Sequence, residues 1–273
     1  MTNASGTNLG ERSEGSSPRL TDEPRNSPVK IVGSYLSPYV RKVLAVLHLK
    51  GIAYEIDPIV AFMGDDRFSR ISPVRRIPVL MDDRVTLSDS SVICQYLEDR
   101  YPQPALYPAD IADRAQARWL EEYADTRMGD VFIWQLFNQV AIGPHVWGRK
   151  TDEAALQETL TQEMPQVLDY LESQLPAQGL LFGTLSIADI GVAVFFRNSG
   201  FARYEVDASR WPRTAAFAGR VLAQECLARL RPFEDKMLRT PIPKHREALI
   251  AMGAPVMAET YGTATPRPGL MRI

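Results

Sequence analysis

Val29-Lys30-Ile31-Val32-Gly33-Ser34-Tyr35-Leu36-Ser37-Pro38-Tyr39-Val40-Arg41-Lys42-Val43-Leu44 is the stretch from which the fold is read. Val29 to Val32 reads as a short strand, and Gly33-Ser34-Tyr35-Leu36 breaks it. Ser37-Pro38 then opens a helix: serine suits the N-cap, and proline suits the first helical position, where no N–H is needed. Val40, Val43, Leu44 and Leu47 follow at helical spacing, and Lys50-Gly51 supplies the stop. Ala53 to Ile59 reads as a second strand. Strand, helix and strand at these lengths predict a βαβ unit with parallel strands and a right-handed crossover.

Moving outward, Ser72-Pro73-Val74-Arg75-Arg76-Ile77-Pro78-Val79-Leu80-Met81 carries the next strand, Val79 to Met81. Arg84 to Leu87 is its hairpin partner across Asp82-Asp83. Proline is tolerated at the first residue of a strand, and the Ile77-Pro78 peptide is a candidate cis bond. Ser88-Asp89-Ser90 caps a helix carrying Val92, Ile93, Tyr96 and Leu97, which ends at Arg100-Tyr101-Pro102. A βαβ unit followed by a hairpin and a helix is the thioredoxin-like arrangement, here without a CxxC pair.

The flanking sequence sets the limits. Of 273 residues, 31 are Lys or Arg and 33 Asp or Glu, a net charge of −2 that gives no electrostatic support for nucleic-acid or anionic-membrane binding. The two cysteines, Cys94 and Cys226, form no disulfide framework, which points to a reducing, cytoplasmic setting. His48, His145 and His245 are scattered, so no metal site is expected. The longest apolar run, Ile190 to Phe196, is far short of the ~20 residues of a membrane helix. Residues 1–28, poor in large apolar side chains, read as a disordered tail rather than a signal or transit segment.

The second half is helical. Residues 109–147 are rich in large side chains, and a further helix is expected from about Glu153 to Leu175. Thr184-Leu185-Ser186-Ile187-Ala188-Asp189-Ile190 is the clearest helix start in the chain: Ser186 and Asp189 form a capping box, and Leu185 with Ile190 a hydrophobic staple. Asp189 is therefore structural. Asp207 to Leu230 holds another helix after Trp211-Pro212. Residues 239–273 form a proline-interrupted extension with one helix expected from Lys244 to Met252, packing on the second domain or near the pocket. No GxGxxG, GxxxxGK[ST], GxSxG or HExxH competes.

Three pieces together resemble the cytosolic glutathione transferases, of serine type and similar to theta, zeta and omega members. They are Ser37-Pro38-Tyr39-Val40-Arg41-Lys42-Val43, Ser72-Pro73-x-x-Arg76-Ile77-Pro78-Val79-Leu80, and Leu87-Ser88-Asp89-Ser90-x-x-Ile93-x-x-Tyr96-Leu97. The resemblance covers residues 29–238. It implies a thioredoxin-like N-terminal domain (29–102) followed by an all-helical C-terminal domain (109–238). It also implies a homodimer in which the two domains of opposite subunits pack together.

The function implied is attack by the glutathione thiol on a small electrophile, with glutathione as co-substrate and no metal. Isomerase, dehalogenase, ether-cleaving and peroxidase chemistries lie within the same group. The alternative is a non-catalytic member acting in protein–protein interaction or regulation. Ser37 is the candidate thiol donor, or only an N-cap; Tyr35 is the rival donor. Serine in place of cysteine disfavours thiol–disulfide exchange. Asp89 and Ser90 resemble the pair that holds the γ-glutamyl end, or act only as a capping pair. Ile77, ahead of the structural Pro78, would pair its backbone with the ligand's cysteinyl backbone. Arg76 would lie near the glycyl carboxylate, with Arg67 or Arg70 as further basic candidates. Arg75 stands where the family commonly has glycine. Tyr123, Arg127 and Gln135 are the candidates for the electrophile pocket.

Overall fold

A computed structural model describes Met1 and residues 28–269. The tail expected over residues 1–28 therefore lies almost wholly outside the described residues. β1 (Val29–Val32) and β2 (Tyr54–Asp57) pair in parallel across α1 (Pro38–Leu49). β3 (Val79–Met81) runs antiparallel to β1 on its other side, and β4 (Thr86–Leu87) closes the sheet in the order β2-β1-β3-β4. α2 (Asp66–Ile71) fills the β2–β3 connection, and α3 (Ser90–Arg100) follows β4. This is the thioredoxin-like arrangement expected from the sequence. Ile31, Ile56 and Leu80 from three strands and Val43, Leu44 and Leu47 from α1 are fully buried in one core.

The strands are shorter than the sequence suggests. β2 stops at Asp57, before Pro58, and the Asp57 carbonyl accepts a local bond from Ile59 N–H at 2.8 Å. β4 loses Arg84 and Val85 to a turn in which both backbone N–H groups donate to Asp82 Oδ1, at 2.8 and 2.9 Å. The side chain thus competes with the ladder for those donors.

Beyond α3 the chain is helical. One long rod comprises α4 (Ile111–Tyr123), a wider i→i+5 section (Ala124–Ile142) and α5 (Gly143–Trp147). α6 (Glu153–Glu158) and α7 (Met164–Gln174), joined by a second wide section, occupy the span expected as one helix. α8 (Ile187–Phe201) is central, with Ile190 to Phe196 buried throughout. Its capping box is complete: Ser186 N–H donates to Asp189 Oδ2 at 2.9 Å, and Asp189 N–H donates back to Ser186 Oγ at 3.4 Å. α9 (Pro212–Leu222), α10 (Glu225–Ala228) and α11 (Arg231–Leu238) complete the layer.

The two halves are bolted together by the adjacent cations of the opening motif, both fully buried. Arg41 donates to Glu234 (2.6 Å), to the Val194 carbonyl (2.7 Å) and to Asn198 Oδ1 (2.8 Å). Lys42 donates to Asp125 (2.5 Å), Glu121 (3.0 Å) and Ser91 (3.1 Å). Burial alone would push the Lys42 ammonium down, but the Asp125 and Glu121 carboxylates reverse this and hold it above its ordinary value.

The C-terminal arm keeps near the cleft, as expected, through Thr240, His245 and Gly269, but it docks on the first domain rather than the second. After α12 (His245–Ala251) it runs along the outer edge of β2, on the first domain: Ile56 N–H donates to the Pro255 carbonyl at 2.8 Å, and Met257 N–H to the Ile56 carbonyl at 2.9 Å. An open sheet edge presents unpaired backbone groups, and the arm satisfies them. Buried Asp57 anchors it, accepting from Tyr261 N–H (2.6 Å) and Thr260 Oγ1 (2.9 Å). No helix among the described residues is long and apolar enough to cross a membrane.

Candidate active site

The sheet side and the helical rod face each other across a cleft of about 1560 Å³. Three chain turns of the first domain supply one wall. The first is the β1–α1 turn. Ser37 N–H donates to the Ser34 carbonyl at 3.0 Å, and Ser37 Oγ accepts from Val40 N–H at 3.4 Å, as an N-cap does. Accepting leaves the Ser37 O–H free to donate into the cleft, at the positive end of a 12-residue helix. The turn is held from behind: Arg41 donates to the Tyr35 carbonyl at 3.3 Å, and Asn198 Nδ2 to the Leu36 carbonyl at 2.9 Å.

The second turn carries Arg76, Ile77 and the cis Ile77-Pro78 peptide. Ser72, quoted above only within its motif, organises it. Its hydroxyl donates to the Arg76 carbonyl at 2.8 Å and accepts from Arg76 N–H at 2.9 Å. Arg75 adopts a left-handed φ of 54°, which explains why glycine suits this position and what an arginine adds there. Its guanidinium ties the turn to the start of α2, donating to Ser69 Oγ (2.5 Å) and the Gly64 carbonyl (2.8 Å) over the Phe68 ring.

The third turn is the N-terminus of α3. Asp89 caps the helix through Oδ1, which accepts from Ser91 and Val92 N–H at 3.0 and 3.1 Å. Ser90 is buried beside it, and both line the cleft. The backbone N–H groups here suit a carboxylate, and the Asp89 carboxylate suits an ammonium group. Behind them stands the Lys42–Asp125–Ser91 cluster, whose Asp125 Oδ1 has no hydrogen-bond partner among the described residues. Tyr39 reaches the same corner and donates to the Asp125 carbonyl at 3.0 Å. Gly129 makes room for it: a Cβ there would lie 2.2 Å from the Tyr39 hydroxyl oxygen.

Several expected residues stand elsewhere. Tyr35 is buried against Phe233, ring centroids 5.2 Å apart, and burial pushes its hydroxyl far above the ordinary value. It does not line the cleft, so its use as a thiol donor is corrected. Tyr123, Arg127 and Gln135 also lie outside. Tyr123 packs on Tyr170 at 4.3 Å, its hydroxyl pushed up to about 12 by burial. Arg127 pairs with Glu163 at 2.6 Å, and Gln135 donates to Asp130 at 3.0 Å. The rod turns Glu122, Thr126 and Trp134 to the cleft instead, each one residue earlier. One residue is about 100° of helix rotation, and only the packing of the rod on α8 and the sheet fixes that angle. Arg67 is bound to the arm, at 2.5 Å from the Thr260 carbonyl, and neither it nor Arg70 lines the cleft.

Residues 31–105 match the family model described as the glutathione S-transferase N-terminal domain. Residues 31–105 thus match a glutathione S-transferase N-terminal domain, and the chain as a whole is similar to proteins of that name. It is 28% identical to the uncharacterized GST-like protein YibF of Escherichia coli (strain K12) over 211 residues, covering 75% of this chain and 98% of that one. To glutathione S-transferase U13 of Arabidopsis thaliana it is 33% identical over 107 residues, 38% of this chain. It spans only about half of that relative, 47%. A glutathione S-transferase structure from Sinorhizobium meliloti 1021 superposes with a TM-score of 0.70 at 20% identity, covering 81% of this chain and 99% of that one. That likeness shows the transferase fold.

Proposed function

We propose that this chain is a serine-type glutathione S-transferase that acts as a homodimer on a small electrophile. The observation that carries the reading is the convergence of Ser37, Ile77 and the Asp89–Ser90 pair, from three separate turns, on one cleft. In this reading Asp89 and Ser90 hold the γ-glutamyl end of glutathione, the Ile77 backbone meets its cysteinyl backbone, and Arg76 attracts its glycyl carboxylate. The thiol would then lie at Ser37. A free thiol has a pKa near 8.5, and each unit of lowering is about 1.36 kcal/mol of preference for the anion. The Ser37 O–H and the N-terminus of α1 supply that preference. The thiolate sulfur forms a bond to the electrophilic carbon, and the displaced electron pair departs with the leaving group.

A thermal-shift titration with glutathione tests the binding half. At about 100 times Kd the stabilisation is about 2.7 kcal/mol, or roughly 5–10 °C for a chain of this size. Ser90→Ala should abolish the shift. Ser37→Ala should keep it while lowering kcat about 100-fold, the scale of losing one aimed donor. No shift at millimolar glutathione would overturn the reading.

A further inference from the structure

Phe62 lies between β2 and α2, on the sheet side, yet its ring closes on the helical wall. It meets Trp147 at 5.3 Å and 66° and Trp134 at 6.5 Å and 76°, both edge-to-face. Phe62 and Trp134 line the cleft. The backbone carrying Phe62 is a single 3-10 turn (Ala61–Met63), and the C-terminal arm holds it from outside. The Phe62 carbonyl accepts from Arg267 N–H at 2.7 Å, the Met63 carbonyl from Thr263 N–H at 2.7 Å, and Asp65 N–H donates to the Tyr261 carbonyl at 2.8 Å. Gly64 lets this segment lie flat on Phe68, where a Cβ would come within 2.1 Å of the ring. Arg267 also pairs with Asp66. A single 3-10 turn with so few internal bonds would otherwise be free to move.

We propose that Phe62, fixed by the arm, is a specificity-determining residue. Together with Trp134, on which its ring packs edge-to-face, it forms a rigid aromatic wall of the cleft that favours electrophiles with a flat aromatic body over aliphatic ones of similar size. This rests on the transferase reading of the cleft. Aromatic faces and edges reward a flat partner beyond the area it buries, and pre-ordering the wall lowers the entropic cost of binding. The arm is therefore part of the substrate site, although it is anchored on the far edge of the sheet.

The test compares Kd for S-benzylglutathione and S-propylglutathione by tryptophan fluorescence, with glutathione alone as the control. The wild type should favour the benzyl compound. Phe62→Leu should cut that preference about fivefold, and Phe62→Tyr should keep it. Arg267→Pro, which removes the N–H donated to Phe62, should cut it about threefold with the ring intact. An unchanged benzyl-to-propyl ratio in Phe62→Leu and Arg267→Pro, with glutathione still bound, overturns the proposal. If the wild type binds no glutathione, the transferase reading falls instead. The aromatic wall is then read with 8-anilinonaphthalene-1-sulfonate: fivefold weaker binding in Phe62→Leu upholds it, and equal binding overturns it.

Discussion

The sheet-side wall of the cleft presents Ser37, Ile77, Asp89 and Ser90 on chain turns, whereas the opposite wall presents Thr126, Trp134 and their neighbours along the flank of one long helix. On the turns, position follows from local chemistry. A serine followed by proline can start a helix in one way, and the Asp89 carboxylate caps the N–H groups two and three residues on. On the rod, every residue type is compatible with every face until another element packs against it. Local rules therefore place a side chain on the first wall, and tertiary packing places it on the second.

The largest expected effect breaks the link between the walls. Arg41→Met leaves Glu234 with only Arg197 and frees the Tyr35 carbonyl and Asn198 of a buried partner. Removing one member of such a network costs about 3–5 kcal/mol. At about 2–4 °C per kcal/mol that is a fall in Tm of roughly 6–20 °C. A change of less than 3 °C in calorimetry would mean that the turn presenting Ser37 does not depend on the helical half.

This contrast also sets how much was legible. The βαβ unit, the hairpin and the capped helices follow from Ser37-Pro38, Ser72-Pro73 and Ser88-Asp89-Ser90, because caps and prolines act over a few residues. Tyr123, Arg127 and Gln135 carry the aromatic and polar character of pocket residues, and nothing near them in sequence reveals that Tyr170 and Glu163 claim two of them. The arm's docking edge was out of reach for a related reason, although its place near the cleft was not. Its partner is the edge of β2, about 200 residues earlier, and Asp57 looks in sequence like an ordinary strand-end aspartate. Arg75 was visible as a departure from glycine, but its φ of 54° was needed to give that departure a meaning.

The next effect sharpens the register of the helical wall. Trp134→Ala removes an aromatic face from the cleft and should raise KM for an aromatic electrophile about tenfold, in the range expected for one apolar contact. Gln135→Ala, one residue on, should leave KM within twofold. Equal effects at the two positions would place the functional face of the rod where sequence reading put it, one residue later.

A smaller effect concerns the sheet-side wall alone. Arg75→Gly and Arg75→Ala both delete the guanidinium that clamps Ser69 and Gly64. They differ only in the residue asked to adopt the left-handed conformation. Alanine pays about 1 kcal/mol there that glycine does not, so Arg75→Ala should melt about 2–4 °C below Arg75→Gly. Equal melting temperatures would mean that this turn has another conformation within easy reach in solution.

The smallest effect lies where the arm begins. Buried His245 has Nε2 2.8 Å from the Thr240 carbonyl, so the neutral ring donates its Nε2–H there. Burial holds the imidazole below its ordinary value of 6.5, against the opposing pull of the Thr240 and Met237 carbonyls. The folded state then prefers neutral histidine, and the unfolded chain binds more protons as pH drops. This contribution to stability is fully present above pH 6.5 and is lost as pH falls through the depressed folded value. His48, also held low by burial, acts in the same direction. Between pH 7.5 and 5.5, His245→Gln should therefore lose less stability than the wild type in parallel denaturant titrations. The turn from α11 into the arm lines the cleft at Thr240 and His245, so a steeper loss in the variant would mean that the folded state stabilises charged His245, and that acid tightens this corner of the site rather than loosening it.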